Sequence, residues 1–144
     1  MFSSFNINAS GMTAQRKRMD IISNNIANVD TTRTEDGGPY RRKMPVFQER
    51  NSNTFASVLK GKLKYSKENG VHLSAIIEDQ KPFKLIHNPN HPDANQDGYV
   101  SMPNVDITIE MVDMIDASRA YEANVTALNT LKNMAMKALE IGRG

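Results

Sequence analysis

The stretch with the most suggestive chemistry is Asp93-Ala94-Asn95-Gln96-Asp97-Gly98-Tyr99-Val100. Oxygen-bearing side chains at positions 1, 3 and 5, glycine at 6 and an apolar residue at 8 match the first half of a calcium-binding loop. There, hard oxygen ligands must converge around a sharp turn. The second half does not match. Position 12, which requires a bidentate carboxylate, is Asn104, and position 11 is Pro103. Pro89 and Pro92 lie upstream, so no helix leads into the loop. The stretch reads better as an Asx-rich turn before a strand. A coiled-coil binding adaptor with a degenerate calcium loop over residues 93–104 stands as the alternative from a different functional class.

Other reactive residue types are sparse. The only histidines are His72, His87 and His91, and no His-x-x-x-His falls on a helical segment, so the helical zinc-ligand pairing is missing. His91-Pro92-Asp93 matches the tripeptide of J-domain co-chaperones, but its upstream flank is strand and Pro-rich loop, where those proteins have a basic helix. Without cysteine there is no thiol catalysis, no disulfide and no Cys-ligated metal. No nucleophile elbow, P-loop or dinucleotide fingerprint occurs. Neither catalysis nor a cofactor or metal is expected. The basic clusters Arg16-Lys17-Arg18 and Arg41-Arg42-Lys43 are not interleaved with aromatics, and the net charge is only +2, so nucleic acid is not an expected partner.

What remains is architecture. Residues 5–29 carry Phe5, Met12, Met19 and Ile26 in one row of a heptad, and Asn8, Gln15, Ile22 and Val29 in the other. The spacing predicts a helix of roughly 37 Å. Gly11 is expected to weaken its first turns by about 1 kcal/mol. The end is expected to fray into Asp30-Thr31-Thr32.

A second helix is expected from Val105 to Ile141, with Asn104 as its N-cap, at roughly 55 Å. Its heptad rows place Met111, Val125 and Leu139 (with Ser118 and Lys132) opposite Met114, Tyr121, Leu128 and Ala135. Ile109, Ile115, Leu131, Met134 and Met136 fall off that seam, so one partner helix cannot cover the apolar face. Such a helix outruns a compact domain of 144 residues.

Between the helices, Asp36-Gly37-Gly38-Pro39 is a strong breaker. Residues 40–50, with Pro45, suggest an edge strand. Residues 50–70, rich in lysine, suggest a mobile loop or weak hairpin. Val71 to Asp79 alternates as a half-buried strand with Val71, Leu73, Ala75 and Ile77 on one side. Phe83–His87 and Tyr99–Met102 suggest two more short strands. The expected fold is α+β. Long N- and C-terminal helices pair as a coiled coil (1–35 and 104–144), with a small β-rich module inserted between them (36–103). No apolar run approaches membrane-spanning length, and the N-terminus lacks the basic and apolar regions of a cleaved secretory signal.

Ser23-Asn24-Asn25-Ile26-Ala27-Asn28-Val29-Asp30-Thr31-Thr32 resembles the N-terminal motif of the bacterial flagellar axial family of rod and hook proteins. The longer continuation through Gly37-Gly38-Pro39-Tyr40-Arg41-Arg42 departs from the generic motif and is similar to the family's proximal-rod members. So are His91-Pro92-Asp93-Ala94-Asn95, Met102-Pro103-Asn104-Val105-Asp106 and Ser118-Arg119-Ala120-Tyr121-Glu122-Ala123-Asn124. Residues 50–70 match least.

The resemblance implies a structural rod subunit, exported by the flagellar type III apparatus without a cleaved signal and assembled in the periplasm as part of a torque-transmitting shaft. Terminal helices would form the inner tube and the module would lie outside. The implied partners are copies of the chain, the rod proteins FlgB, FlgF and FlgG, the rod adaptor FliE and the inner-membrane ring. Another axial protein of the rod family is the nearer alternative. The motif residues so implied are Asn24, Asn25, Asn28, Thr31, His91, Pro92, Asp93, Asn95, Pro103 and Asn104. The apolar rows then become the expected subunit contacts: Phe5, Met12, Met19, Ile22 and Ile26 on the first helix, and Met111, Ile115, Tyr121, Val125, Leu128, Leu131, Met134 and Leu139 on the second.

Overall fold

A computed structural model describes residues 2–35, 37–50 and 70–142. The loop or hairpin expected near residues 50–70 lies almost entirely outside them. Two helices, α1 (Phe2–Ala27) and α2 (Ile107–Ile141), bracket four strands: β1 (Lys43–Glu49), β2 (Val71–Glu78), β3 (Lys84–His87) and β4 (Tyr99–Met102). The fold is α+β, with the terminal helices packed on each other.

The helices run antiparallel. Residue numbers rise along α1 as those of its neighbours fall along α2: Gly11 faces Asn124, Arg18 bonds Asp113, and Asn25 bonds Glu110. At 1.5 Å per residue α1 is about 39 Å long and α2 about 52 Å. Continuing the register brings Phe2 near residue 133, so the last two turns of α2 extend past the start of α1.

The inner stripe of α2 is Glu110, Met114, Ala117, Tyr121, Asn124, Leu128, Leu131 and Ala135, all buried or half-buried. This alternation of 4 and 3 is a coiled-coil repeat. One of its rows is the expected one. The other lies one residue earlier than expected, at Glu110, Ala117, Asn124 and Leu131 in place of Met111, Ser118, Val125 and Lys132. Counting apolar residues misplaces it because two of its members are polar and one is small. Gly11 explains why small residues belong there. A methyl group on it would sit 3.2 Å from the Asn124 side chain, so the glycine that weakens the helix locally also lets the two backbones approach.

Both helix boundaries differ from the expected ones. The N-cap of α2 is Asp106, not Asn104: extended backbone (φ −118, ψ 112) directs its carboxylate to the N–H groups of Thr108 and Ile109. Asn104 is engaged elsewhere, as described below. Helix α1 begins at Phe2 and ends at Ala27, two residues before the expected end. There the Asn28 side-chain amide donates to Asn24 O at 2.9 Å, and its backbone N–H donates to the same oxygen. Residues 28–30 turn without fraying further into helix.

The strands form two antiparallel pairs, β1 with β2 and β3 with β4. In the first pair the register shifts between Val46 and Phe47, leaving Ser74 without a cross-strand partner. The bulge breaks the alternation expected of β2. Val71 and Leu73 are half-buried, but Ala75 and Ile77 are exposed, as is Ile76 between them. This hairpin docks on α1 through Ser10, whose hydroxyl accepts from Val71 N at 3.1 Å and donates to Ile7 O at 2.7 Å. Gly70 passes so close that a Cβ would lie 2.4 Å from Ser10 Oγ. The core therefore sits where α1 meets both α2 and β1–β2, at Ala14, Ile21 and Ile22, with Val100, Val105 and Tyr40 closing the end nearest the module.

Candidate functional site at the helix–module junction

The most organised polar cluster lies where α1, α2 and the chain entering β1 converge. Its centre is Asn25, 1% exposed. Every hydrogen-bonding position of its amide is used. Nδ2 donates to Lys43 O (2.9 Å) and to Glu110 Oε2 (3.0 Å). Oδ1 accepts from Tyr40 Oη (3.0 Å) and from Lys43 N (2.9 Å). One side chain on α1 thus holds the first residue of β1, the preceding loop and α2. An amide suits this because it offers two donors and two acceptors in one plane.

Glu110 is a carboxylate with 0% exposure, and burial of that kind is tolerated only when the charge is paired and hydrogen-bonded. Arg42 supplies the pairing: Nε donates to Glu110 Oε1 at 2.5 Å and Nη2 to Asp113 Oδ2 at 3.3 Å, while Nη1 lies 3.9 Å from Asp79 Oδ2. Arg18 on α1 bonds the other oxygen of Asp113 at 2.8 Å. Two guanidinium groups therefore face three carboxylates from four chain segments. Tyr40 keeps its proton to high pH, because burial first, and then the charges of Glu110 and Glu78, raise its pKa above 10.0. It remains a donor to Asn25.

Asn104 extends the cluster to the far side of the module. Its Oδ1 accepts from Arg42 N (2.8 Å), and its Nδ2 donates to Asp79 O (3.0 Å) and Lys81 O (3.2 Å). Arg41 Nη1 reaches the same two carbonyls, and its guanidinium lies 4.2 Å over the Phe83 ring. Lys84 Nζ donates to Val105 O at 2.7 Å, tying β3 to the start of α2.

The motif residues taken from the family resemblance fall around this junction. Asn25 and Asn104 are in it, and Pro103 is buried beside it. Asn28 bonds Thr31 and Asn24, shaping the turn that leaves α1, and Asn24 itself donates to Asp20 O. Asp93 Oδ2 accepts from Thr32 Oγ1 at 2.8 Å, and its Oδ1 lies 3.9 Å from Arg33 Nε. His91 Nδ1 accepts from Asp93 N, and Asn95 Oδ1 from Asp97 N and Tyr99 N. Pro92 is exposed. The side-chain oxygens of Asp93 and Asn95 in the calcium-like half-loop are thus turned onto Thr32, Arg33 and the loop's own backbone. Asn104, its twelfth position, is turned onto Arg42. No group of three or more His, Cys, Asp or Glu among the described residues is placed to hold a metal ion.

Glu110, Asp113, Arg42, Tyr40 and Asp79 were not singled out by the sequence reading. Arg42 read there only as part of a basic cluster and of a motif segment. The available signal was Glu110 standing in phase with the inner stripe.

The rows expected as subunit contacts divide into two sets. Phe5, Met12, Met19, Ile26, Tyr121, Val125, Leu128 and Leu131 are half-buried within the chain and Ile22 is buried. Met111 (57%), Ile115 (53%), Met134 and Leu139 (73%) stand exposed on α2.

Comparison with known proteins gives the family of the chain. The family described as flagella basal body rod protein matches residues 5–33, and that described as flagellar basal body rod FlgEFG protein C-terminal matches residues 96–141. These are the two helices with their junction loops. The chain is similar over its whole length to proteins named flagellar basal-body rod protein FlgC. It is 50% identical to the one from Bacillus subtilis (99% of this chain, 98% of that protein) and 48% identical to the one from Borreliella burgdorferi (100% and 99%). It is 41% identical to the one from Salmonella typhimurium (96% and 96%).

Proposed function

The chain belongs to the FlgC family of flagellar basal-body rod proteins and is a structural subunit of the rod; from that premise we propose how its parts divide the work. The α1–α2 pair builds the wall of the rod, polymerising through apolar rows left uncovered in the single chain. The β-rich module, residues 36–103, lies outside that wall, and the helical unit comprises 1–35 and 104–144. The junction fixes one to the other, so that load applied to the module is carried into the helices. The role is mechanical and uses no catalytic step.

One observation carries this reading. Four large apolar side chains of α2, Met111, Ile115, Met134 and Leu139, are half or more exposed, on the helix whose other face is packed against α1. Burying each contributes about 1.5–3 kcal/mol, which neighbouring subunits can supply many times over along a shaft. Packing of different faces, head to tail, gives an open array instead of a closed dimer.

The finer placement follows from the family resemblance. The chain would occupy the proximal rod in the periplasm, having passed the flagellar type III export apparatus without a cleaved signal. Its neighbours would be its own copies, FlgB, FlgF, FlgG, the adaptor FliE and the inner-membrane ring. Among the described residues no helix is long and apolar enough to cross a membrane, which fits contact with that ring from outside the bilayer.

The test is Ile115→Asp, in cells whose own copy is deleted. Ile115 is exposed and off the inner stripe, so the chain should fold and be exported, yet rods should not form and the cells should not swim. Normal swimming by these cells would remove this face of α2 from the assembly.

A further inference from the structure

We propose that the free edge of β2 pairs with the same edge of a second copy of this chain, giving a four-stranded antiparallel sheet across a two-fold axis at Ile76. The contact is made by the β-rich module alone. It goes beyond the assembly reading above, which concerns α2, and does not rest on it.

The β1–β2 ribbon has two edges, and only the β1 edge is closed. Main-chain groups in an antiparallel pair point alternately toward the partner strand and away from it. Asp79 N donates across the ladder to Arg42 O at 2.8 Å. Lys43, the next residue of β1, points away: its N–H donates to Asn25 Oδ1 and its C=O accepts from Asn25 Nδ2, both at 2.9 Å. The following outward position is Pro45, which has no N–H to offer. The cross-strand partners of these two residues are Glu78 and Ile76. Their main-chain groups therefore turn to the opposite edge, where no strand among the described residues lies.

The β2 edge carries none of the usual protection. Ser74, Ala75, Ile76, Ile77 and Glu78 are all exposed, and the run contains neither proline nor lysine. Ile76 and Ile77 leave about half of their surface in solvent, one on each face of the ribbon. Outward main-chain donors and acceptors flanked by apolar side chains match one chemistry, an extended backbone added as a further strand.

The edge is complementary to itself. Antiparallel pairing centred on Ile76 sets Ile76 against Ile76 of the second copy, Ala75 against Ile77, and Ser74 against Glu78. The two Glu78 residues then lie about 14 Å apart along the strands. Centring the axis on Glu78 instead would set two carboxylates directly opposite, which is destabilising. The pairing also stops itself. In the order β1–β2–β2–β1 both outer edges are β1, closed by Asn25 and Pro45. Chains packed head to tail in an open array share no two-fold axis. The pair therefore belongs to chains outside the rod, where it covers an edge that would otherwise invite unspecific strand pairing.

The experiment is sedimentation velocity of the purified full chain carrying Ile115→Asp, which removes the α2 contact proposed above, across the micromolar to millimolar range. A monomer–dimer equilibrium is expected. Adding Ile76→Pro should weaken it about tenfold or more, because the outward N–H is lost while the ladder to β1, which that N–H does not join, is kept. Ile76→Lys, which sets like charges across the axis, should do the same. Circular dichroism checks that each variant is folded. The chain has no cysteine, so a disulfide can report the register. An equimolar mixture of Ala75→Cys and Ile77→Cys chains in a glutathione buffer should give a linked heterodimer, the two Cα atoms being about 4.5 Å apart in the pair. Each variant alone should link far less. A chain that stays monomeric throughout, a dimer that survives both substitutions at Ile76, or equal linking in the mixture and in the single variants would overturn the proposal. Cells relying on the Ile76→Pro chain should swim. If they do not although that chain is folded, a strand of a rod neighbour takes the edge, and pairing with a second copy falls.

Discussion

Replacing Arg42 with methionine removes the junction's central cation while keeping most of its aliphatic stem. Glu110, with no exposure, loses the Nε–H bond at 2.5 Å that pairs its charge, and Asp113 retains Arg18. Breaking a buried pair from one side costs about 3–5 kcal/mol, because the remaining charge is left in a poorly solvated site. Against a total stability of roughly 5–15 kcal/mol, that is about a fifth or more of the fold's stability. Arg42→Met/Glu110→Met removes the buried Glu110 charge together with its partner, while Asp79 loses its 3.9 Å contact with Arg42 in both variants. The remaining penalty is the lost acceptor of Asn25 Nδ2, about 1–3 kcal/mol. The double variant should therefore be more stable than Arg42→Met alone. Urea unfolding followed by circular dichroism at constant m-value measures this directly, and the four proteins form a cycle whose coupling energy isolates the pair. Strict additivity, or a loss below about 1 kcal/mol for Arg42→Met, would refute the view that the charge pair organises the junction.

Three other outcomes follow from single contacts. Gly70→Ala should cost about 1–3 kcal/mol by urea unfolding, since its Cβ would meet Ser10 Oγ at 2.4 Å and displace the hydroxyl from Val71 N; Ser10→Gly should remove most of the clash. Asp106→Ala should lower stability by the usual cap value, about 0.5–2 kcal/mol. Asn104→Ala should cost more, because it strands the Arg42 N–H and frees two carbonyls of the module; the reverse order would reinstate Asn104 as the cap. Tyr40 holds its phenolic proton more tightly in the folded state. Its contribution is thus complete below pH 10.0, the unfolded value, and is lost as pH rises through the folded-state pKa. Urea midpoints taken from neutral to strongly alkaline pH should fall more steeply for the wild-type chain than for Tyr40→Phe.

Much of the architecture was legible because helix and strand periods are local. The two helices, the four strands and the break at Gly37-Gly38 all follow from spacing and turn residues. The inner stripe of α2 was only half legible. Met114, Tyr121, Leu128 and Ala135 carry an apolar signal, but Glu110 and Asn124 are polar and their burial depends on partners 85 and 113 positions away, at Asn25 and Gly11. Nothing in a helical period announces such pairings. Asn104 was misread for a related reason: its local context fits a cap, and only the fold shows Arg42 N and two distant carbonyls converging on it. The segments that carry the family resemblance include Asn25, Asn104, Tyr40 and Arg42 but not Glu110, and the roles of Tyr40, Arg42 and Glu110 emerge only where three segments meet.

That the junction is polar has a mechanical meaning. Two apolar surfaces of similar shape can slide past one another with little loss, since burial is roughly proportional to area and has no direction. Hydrogen bonds lose strength steeply with angle and distance. Asn25 spends four of them on three segments, and Arg42 divides its guanidinium among Glu110, Asp113 and Asp79. A rotation of the module about the helix axis would break several at once and expose a buried carboxylate to no partner. A subunit that must pass torque from one part to another needs resistance to that rotation more than it needs additional buried area. The large apolar side chains left exposed on α2 are the ones proposed above for contacts between subunits.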